Sequence, residues 1–197
     1  MHKLFLIVSL LFVSLAGTCQ HADIDILKNI NLNRNKNLDP TFRFISNTVT
    51  PISIATPLII AGTGFILKDS VIKRKGFYMA TSVLGAAIIS TGLKYSVNRT
   101  RPFVTYPYLE KAGSGGSPSF PSGHTSSSFA TATSLSIAFP KWYVIVPSFI
   151  WAGSVAYSRM DLGVHYPSDV LAGAIIGSGS AYICYRINKW LIKKNKG

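Results

Sequence analysis

Five stretches of this chain carry no Asp, Glu, Lys or Arg and are long enough to form helices in an apolar environment. They cover residues 49–67, 76–93, 122–139, 142–158 and 170–185, and the third is richer in serine and threonine than the others. A membrane span needs about 20 mainly apolar residues, with a range of roughly 17 to 25. The pattern therefore predicts an all-α, membrane-embedded helical bundle, with the buried helices of a soluble bundle as the alternative.

The amino-terminal region determines whether the bundle has five or six transmembrane helices. Lys3 precedes an apolar run that ends in small residues, Ala16 and Gly17, which is the order of a secretory signal peptide. An uncleaved first membrane helix fits the same residues. We therefore expect residues 1–19 to be a signal peptide or a first transmembrane helix, and residues 20–197 to form a single domain, since 197 residues show neither an internal repeat nor a compositional break.

The net charge of +13 has two explanations, a nucleic-acid partner or the excess of Lys and Arg in the cytoplasmic loops of a membrane protein. If Lys3 is cytoplasmic and each stretch crosses once, the cytoplasmic segments contain the single acid Asp69. Their basic residues are Lys3, Lys68, Lys73, Arg74, Lys75, Lys141, Arg186, Lys189, Lys193, Lys194 and Lys196. This bias predicts a multi-pass protein of the inner (cytoplasmic) membrane and makes a nucleic-acid partner unnecessary.

Three polar segments emerge together on the other side of this topology, facing the periplasm or exterior. They read KYSVNRTRP at 94–102, PSGH at 121–124 and SRMDLGVHYPSD at 158–169. Each has a structural explanation when taken alone: Lys and Arg anchor helix ends at interfaces, Asp and Ser cap helices, and histidines pair inside proteins. Those explanations do not account for three such segments at one end of the bundle.

Taken together, the segments contain the groups that bind phosphate. Lys94, Arg101 and Arg159 supply positive charge, and a guanidinium group matches two phosphate oxygens at once. Ser122 and Gly123 begin a predicted helix, where a hydroxyl and free backbone N–H groups point at an anion. We expect these five residues to hold a phosphoryl group.

Two histidines and one aspartate of the same segments have the chemistry for phosphoryl transfer. His165 can attack phosphorus if its far ring nitrogen is held by a carboxylate, and Asp169 follows four residues later, one helical turn away. His124 then remains to protonate the departing oxygen. A metal cofactor is not called for, because Lys and Arg already supply the positive charge that a metal would bring.

In combination, Lys-x6-Arg-Pro, Pro-Ser-Gly-His and Ser-Arg-x5-His-x3-Asp resemble the three-part signature of the type 2 phosphatidic acid phosphatase superfamily. The resemblance covers residues 94–169 and matches all three parts. It implies a metal-free phosphatase with a phosphohistidine intermediate, acting at the membrane on a lipid phosphate or diphosphate of isoprenoid-carrier, phosphatidate or phosphatidylglycerophosphate type. It implies catalytic roles for His165, His124 and Asp169, and phosphate binding by Lys94, Arg101, Ser122, Gly123 and Arg159.

Other functions stay open at this point. The same superfamily includes soluble periplasmic acid phosphatases of broad specificity and vanadate-dependent haloperoxidases. A membrane protein that binds anions or lipids without catalysis would leave an intact nucleophile and acid idle. The expected partners are a lipid phosphate substrate and the membrane, and no obligate protein partner is evident from the sequence.

Overall fold

The computed structural model describes residues 21–194, and those residues form helices and connecting segments without a strand. The described part of the first helix, α1, covers residues 21–32. The remaining helices are α2 (Asp39–Asn47), α3 (Val49–Ile66), α4 (Ser70–Val97), α5 (Pro102–Thr105), α6 (Gly123–Ala138), α7 (Trp142–Asp161) and α8 (Pro167–Lys194). A short 3-10 helix, Lys36–Leu38, precedes α2. The expected signal peptide or first span at residues 1–19 lies outside the described residues.

Capping residues set where α4 begins and ends. The carboxylate of Asp69 accepts hydrogen bonds from the backbone N–H groups of Val71 and Ile72 at 2.7 and 3.1 Å, which starts α4. Asn98, inside the first polar motif, ends α4 in the left-handed conformation, with φ of 48°, and the chain turns there toward Arg101. The charge-free stretches agree with the helices to within three residues at each end for α3, α6 and α7, whereas α4 and α8 extend beyond the predicted stretches at both ends.

Helix α6 lies at the centre of the bundle and contacts α3, α4, α7 and α8. Its hydroxyl side chains therefore meet protein rather than lipid, and they pair with neighbouring helices. Ser90 donates to Ser126 at 2.7 Å, and Thr131 donates to Ser53 at 2.9 Å. The enclosed position explains how the most polar of the five stretches is accommodated in an apolar bundle.

The close contact of α6 with α8 depends on glycines of α8. A Cβ atom added at Gly173 would lie 2.7 Å from the backbone oxygen of Ser122, and one added at Gly177 would lie 2.8 Å from the backbone nitrogen of Ala130. A Cβ at Gly179 would meet nothing within 4 Å. The spacing Gly173-x3-Gly177 thus allows the helices to approach, whereas Gly179 takes no part in this contact.

The outer surface of the bundle is apolar. Large hydrophobic side chains of α3, α4 and α8, such as Leu58, Ile88 and Ile175, are more than half exposed. Three helical segments are long and apolar enough to cross a membrane, at Lys36–Ile66, Ser70–Thr105 and Pro167–Lys194. A soluble bundle would bury such faces, so the arrangement agrees with the predicted membrane-embedded bundle. Neither α6 nor α7 is among these three segments, and α6 is shielded from the outside by its neighbours.

The helix directions separate the basic residues from the polar motifs. Helix α4 has Lys73 near its start and Lys94 in its last turn, whereas α8 has Asp169 in its first turn and Lys193 and Lys194 in its last. The connection of α6 to α7, which contains Lys141, lies at the same end as Lys73. All three polar motifs therefore lie at one end of the bundle, and the lysine-rich segments lie at the other, as predicted.

Candidate active site

All eight predicted site residues converge at one end of the bundle. The carboxyl end of α4 and the residues after it supply Lys94 and Arg101. The start of α6 supplies Ser122, Gly123 and His124, and the end of α7 and the turn into α8 supply Arg159, His165 and Asp169. His124 lies near enough to Lys94, Arg101, Arg159 and His165 to be affected by their charges. The structure thus brings residues from three separate segments into a single cluster.

Lys94 is half-buried, and its Nζ donates to the backbone oxygen of Pro118 at 2.7 Å and to that of Ser119 at 3.5 Å. These carbonyl groups belong to the loop that leads into α6, so Lys94 fixes this loop against the end of α4. Its third hydrogen is directed to no other protein acceptor among the described residues. Lys94 therefore combines a positioning contact with a donor for an anion.

Arg101 is 7% exposed and is fixed by two backbone carbonyl groups. Its Nε donates to Ser117 at 2.7 Å, and its Nη1 donates to Val164 at 2.8 Å. The same Nη1 lies 3.5 Å from Nε2 of His165. The loop passes so close to the guanidinium that a Cβ added at Gly115 would lie 2.7 Å from its central carbon. Arg101 therefore places a positive charge beside the ring nitrogen that faces away from Asp169.

Arg159, near the end of α7, is 2% exposed. Its Nη1 donates to the hydroxyl of Ser46, and its Nη2 donates to the backbone oxygen of Ser114 at 2.8 Å. Its Nε is buried and has no partner among the residues that the structure describes. A buried guanidinium donor without an acceptor is costly, and a phosphate oxygen would satisfy it.

His165 and Asp169 form the buried pair that their spacing predicts. Nδ1 of His165 lies 3.4 Å from Oδ2 of Asp169, and the two side chains are 2% and 0% exposed. Asp169 holds the proton on Nδ1, which leaves a lone pair on Nε2. Burial lowers the pKa of His165 to about 4, against the smaller raising effect of Asp169. His165 is therefore neutral at ordinary pH and has the protonation state of a nucleophile.

The first turn of α6 differs from the expectation in one detail. The backbone N–H of Ser122 donates to the backbone oxygen of Asp169 at 3.0 Å, and so is not free for an anion. Its hydroxyl oxygen caps the helix by accepting from the backbone N–H of Thr125 at 3.4 Å and from the Thr125 hydroxyl at 2.9 Å. The N–H groups of Gly123 and His124 have no carbonyl partner within their own helix, as at any helix start. The anion-facing backbone donors are thus those of Gly123 and His124.

A cleft of about 220 Å³ opens beside this turn, between α3, α4 and α6. Lys94, Gly123 and His124 lie at its polar end. The other lining residues are Val49, Thr50, Ala87, Ser90, Thr91 and Ser127. His124 therefore faces open space, whereas His165 is enclosed, which distinguishes the surroundings of the two histidines.

Sequence reasoning missed three residues that hold Asp169 and its neighbours in place. Arg99 donates from Nη1 to Oδ1 of Asp169 at 2.7 Å, the hydroxyl of Ser119 donates to Oδ2 of Asp169, and Ser46 accepts from Arg159. Arg99 lies within the first motif, two residues before Arg101, but outside its defined positions. Ser46 and Ser119 carry no sequence signal, because serines are common in this chain and their partners are far away along it.

Among residues 21–194, no group of three or more His, Cys, Asp or Glu side chains is arranged to hold a metal ion. The expectation of a metal-free mechanism stays a prediction.

A sequence model described as the PAP2 superfamily matches residues 75–193. Lipid A 4'-phosphatase of Bacteroides thetaiotaomicron is 37% identical over 90 residues, which cover 46% of this chain and 40% of that protein. Undecaprenyl-diphosphatase of Sulfolobus acidocaldarius is 30% identical over 188 residues, which cover 93% of this chain and 87% of that protein. Lipid A 1-phosphatase of Rhizobium etli is 32% identical over 108 residues, 52% of this chain and 45% of that protein. The matches thus span less than half the length of these two lipid A phosphatases.

Two solved structures share the fold. The crystal structure of Aquifex aeolicus LpxE has a TM-score of 0.71 and 26% identity, and the likeness covers 84% of this chain and 95% of that one. The transmembrane PAP2 type phosphatidylglycerolphosphate phosphatase of Bacillus subtilis has a TM-score of 0.75 and 24% identity, covering 91% of this chain and 93% of that one. The second likeness confirms the predicted all-α, membrane-embedded bundle.

Proposed function

The chain belongs to the PAP2 superfamily, and from the geometry of its site we propose that it is a metal-independent phosphatase acting on a lipid phosphate or diphosphate. The observation that carries the proposal is the buried pair of His165 and Asp169 beside Arg101. This pair presents a neutral imidazole nitrogen to the place where guanidinium and ammonium donors meet. A nucleophile beside cationic donors is the arrangement that phosphoryl transfer requires.

In the proposed first step, Nε2 of His165 attacks phosphorus and the bond from phosphorus to the leaving oxygen breaks. His124 gives its proton to that oxygen, and its protonated form is stabilised by the negative charge of the bound phosphoryl group, which offsets the neighbouring positive charges. Asp169 stabilises the positive charge that develops on the imidazole ring of His165. In the second step, water loses a proton to His124 and attacks the phosphohistidine, which releases inorganic phosphate and restores His165. Lys94, Arg101 and Arg159 balance the negative charge on the phosphoryl oxygens throughout.

A lipid substrate fits the surroundings of the cleft better than a small soluble ester. The cleft lies between α3 and α4, both of which expose apolar faces, and its lining includes Val49 and Ala87 next to Lys94. A phosphate headgroup at the polar end therefore lies next to an apolar surface. The relatives are named as phosphatases of lipid A and of undecaprenyl diphosphate. A soluble, non-specific acid phosphatase is the second candidate, and the exposed apolar helix faces disfavour it.

Purified protein in detergent tests the substrate class. Phosphate release is measured from a panel of lipid monophosphates, lipid diphosphates and water-soluble esters. Preference for lipid esters supports the proposal, whereas equal or better turnover of soluble esters, with release of the protein from membranes by carbonate, supports the acid phosphatase.

A comparison of two esters separates the roles of the histidines. His165→Ala should be inactive on both a lipid phosphate and p-nitrophenyl phosphate, because it lacks the covalent step. His124→Ala should lose roughly 10² to 10⁴ in turnover of the lipid and much less on the activated ester, whose leaving group needs no proton. His21, exposed on α1, supplies the control variant His21→Ala. Equal losses of His124→Ala on both esters would show that the roles are assigned wrongly.

We also propose that the site faces the periplasm or exterior, since the lysine-rich helix ends lie opposite to it. In a variant without native cysteines, a membrane-impermeant thiol reagent should label Lys111→Cys in intact cells and leave Lys73→Cys unlabelled. The reverse labelling pattern contradicts this orientation.

A further inference from the structure

Asp23 of helix α1 is a buried carboxylate that none of the three sequence motifs contains. Its side chain is 5% exposed. Its Oδ1 accepts from the backbone N–H of Ser168 at 2.8 Å, and its Oδ2 accepts from the Ser168 hydroxyl and from Nη2 of Arg99 at 2.7 Å. Asp23 thus connects α1 to the first turn of α8, one residue before Asp169, and to the first motif.

Arg99 joins the carboxylates of Asp23 and Asp169 through the two ends of one guanidinium group. Nη2 donates to Asp23 and Nη1 donates to Oδ1 of Asp169, both at 2.7 Å. The guanidinium also lies 3.9 Å from the ring centre of Tyr166. A planar group held at both ends and on one face cannot rotate freely. The position of Asp23 therefore determines the direction from which Arg99 approaches Asp169.

Attachment of α1 does not by itself explain these contacts. Ile24 and Leu27 already pack α1 against Leu109 and Tyr166 in a buried apolar cluster. A buried ion pair contributes little stability relative to apolar side chains of similar size, because both charges lose their hydration. Asp23 also lies outside residues 75–193, which the family model matches. Asp23 contacts Arg99 and Ser168, and Arg99 in turn contacts Asp169.

We propose that Asp23 is a positioning residue for the reaction, which holds Arg99 and Ser168 so that Oδ2 of Asp169 faces Nδ1 of His165. This inference rests on the proposed function, in which His165 is the nucleophile. Oδ2 of Asp169 faces Nδ1 of His165 and accepts from the Ser119 hydroxyl and from the backbone N–H of Tyr166 at 3.0 Å. Oδ1 accepts from Arg99, so the direction of Arg99 affects the orientation of the carboxylate from the other side. Loss of Asp23 releases one end of Arg99, and the proton on Nδ1 of His165 is then held less firmly.

The kinetic consequence separates positioning from binding. Asp23 contacts none of the predicted phosphate-binding residues, so its removal should leave phosphate affinity unchanged. Residues that orient the ligands of a metal site through a hydrogen bond typically contribute about 10- to 100-fold to activity, and we take the lower end of this range by analogy. We expect Asp23→Asn to lower kcat on p-nitrophenyl phosphate about tenfold, with KM and the competitive inhibition constant of inorganic phosphate unchanged. Asp25→Asn, an exposed carboxylate two residues later on the same helix, is the matched control.

A double-mutant cycle tests whether Asp23 acts through Arg99. Arg99→Lys replaces the fork with a single ammonium group, which cannot hold Asp23 and Asp169 as the guanidinium does. If the two residues act in one chain, Asp23→Asn adds little further loss in the Arg99→Lys background. As the control, Asp25→Asn should leave kcat unchanged both in the wild type and in the Arg99→Lys background.

Three outcomes would overturn the inference: a kcat of Asp23→Asn equal to wild type, a loss that appears in KM and phosphate affinity, or losses that multiply fully with Arg99→Lys. Activity is expressed per folded molecule, measured by size-exclusion chromatography in detergent. If Asp23→Asn does not fold, Ser168→Ala is measured instead, because the Ser168 hydroxyl donates to Asp23 and accepts from Nη1 of Arg99. This variant should lower kcat at constant KM, and an unchanged kcat counts against the inference. A wild-type protein that hydrolyses no ester refutes the proposed function instead, so the two failures are distinguishable.

Discussion

Replacement of Arg159 by lysine keeps the positive charge and removes the geometry of the guanidinium group. In the structure, Nη1 and Nη2 of Arg159 donate to Ser46 and Ser114, and its buried Nε has no partner within residues 21–194. Arg159 thus offers an anion a donor without giving up the contacts that fix its side chain. A lysine has one nitrogen, which cannot lie in all three places.

The size of the effect follows from the donors that are lost. Loss of one preorganised donor to a developing oxyanion typically costs about 10² to 10³ in kcat, or about 2.7 to 4 kcal/mol. We therefore expect Arg159→Lys to reduce kcat by at least about 10². The Ser114 carbonyl and the Ser46 hydroxyl also lose a charged donor, and each buried polar group left unsatisfied costs about 1 to 3 kcal/mol of stability. A lower melting temperature should accompany the kinetic loss.

The assay measures kcat and KM for a lipid phosphate in detergent, normalised to folded protein. Arg43→Lys is the control, since Arg43 is exposed on α2 and its Nε donates only to the backbone oxygen of Ala112 at 2.6 Å. This variant should keep wild-type kcat. A kcat of Arg159→Lys within about threefold of wild type, far below the loss typical of an oxyanion donor, would refute the proposal that Arg159 donates to the phosphoryl group.

Three further predictions follow from the site and the packing. Phosphate release should survive EDTA and be inhibited by vanadate, which mimics pentacoordinate phosphorus; complete loss with EDTA, restored by a divalent metal, contradicts the metal-free mechanism. Gly177→Val should destabilise the fold by roughly 1 to 3 kcal/mol through overpacking of α8 against α6, while Gly179→Val should not, as thermal unfolding will show. The kcat/KM of the wild type should fall as the pH drops toward the lowered pKa of His165, about 4. In Asp169→Asn this acid limb should move to still lower pH, because the negative charge that favours protonated His165 is gone; a shift to higher pH contradicts the pairing.

The helical, membrane-embedded architecture and the set of residues that meet at one end of the bundle could be predicted from the sequence alone. Charge-free stretches specify spans because a bilayer requires every backbone group to be bonded within a helix. Similarly, the spacing of His165 and Asp169 specifies their pairing, since one helical turn brings positions i and i+4 together. The lysine-rich segments and the three motifs lie at opposite ends because each apolar helix carries the chain from one end of the bundle to the other. These relations are local, or follow from counting crossings.

The residues that position the site side chains could not be predicted from the sequence, because their contacts span long distances along the chain. Ser119 meets Asp169 across 50 positions of the chain, Ser46 meets Arg159 across 113, and Asp23 meets Ser168 across 145. A serine or aspartate on a mixed helix carries no sign of a partner so distant, because its role depends on how α1, α2 and the loop before α6 pack around α8. Likewise, the backbone N–H of Ser122 donates to the backbone oxygen of Asp169 and is not free for an anion. The hydrogen bonds within the protein thus determine which donors at the site remain available for a ligand.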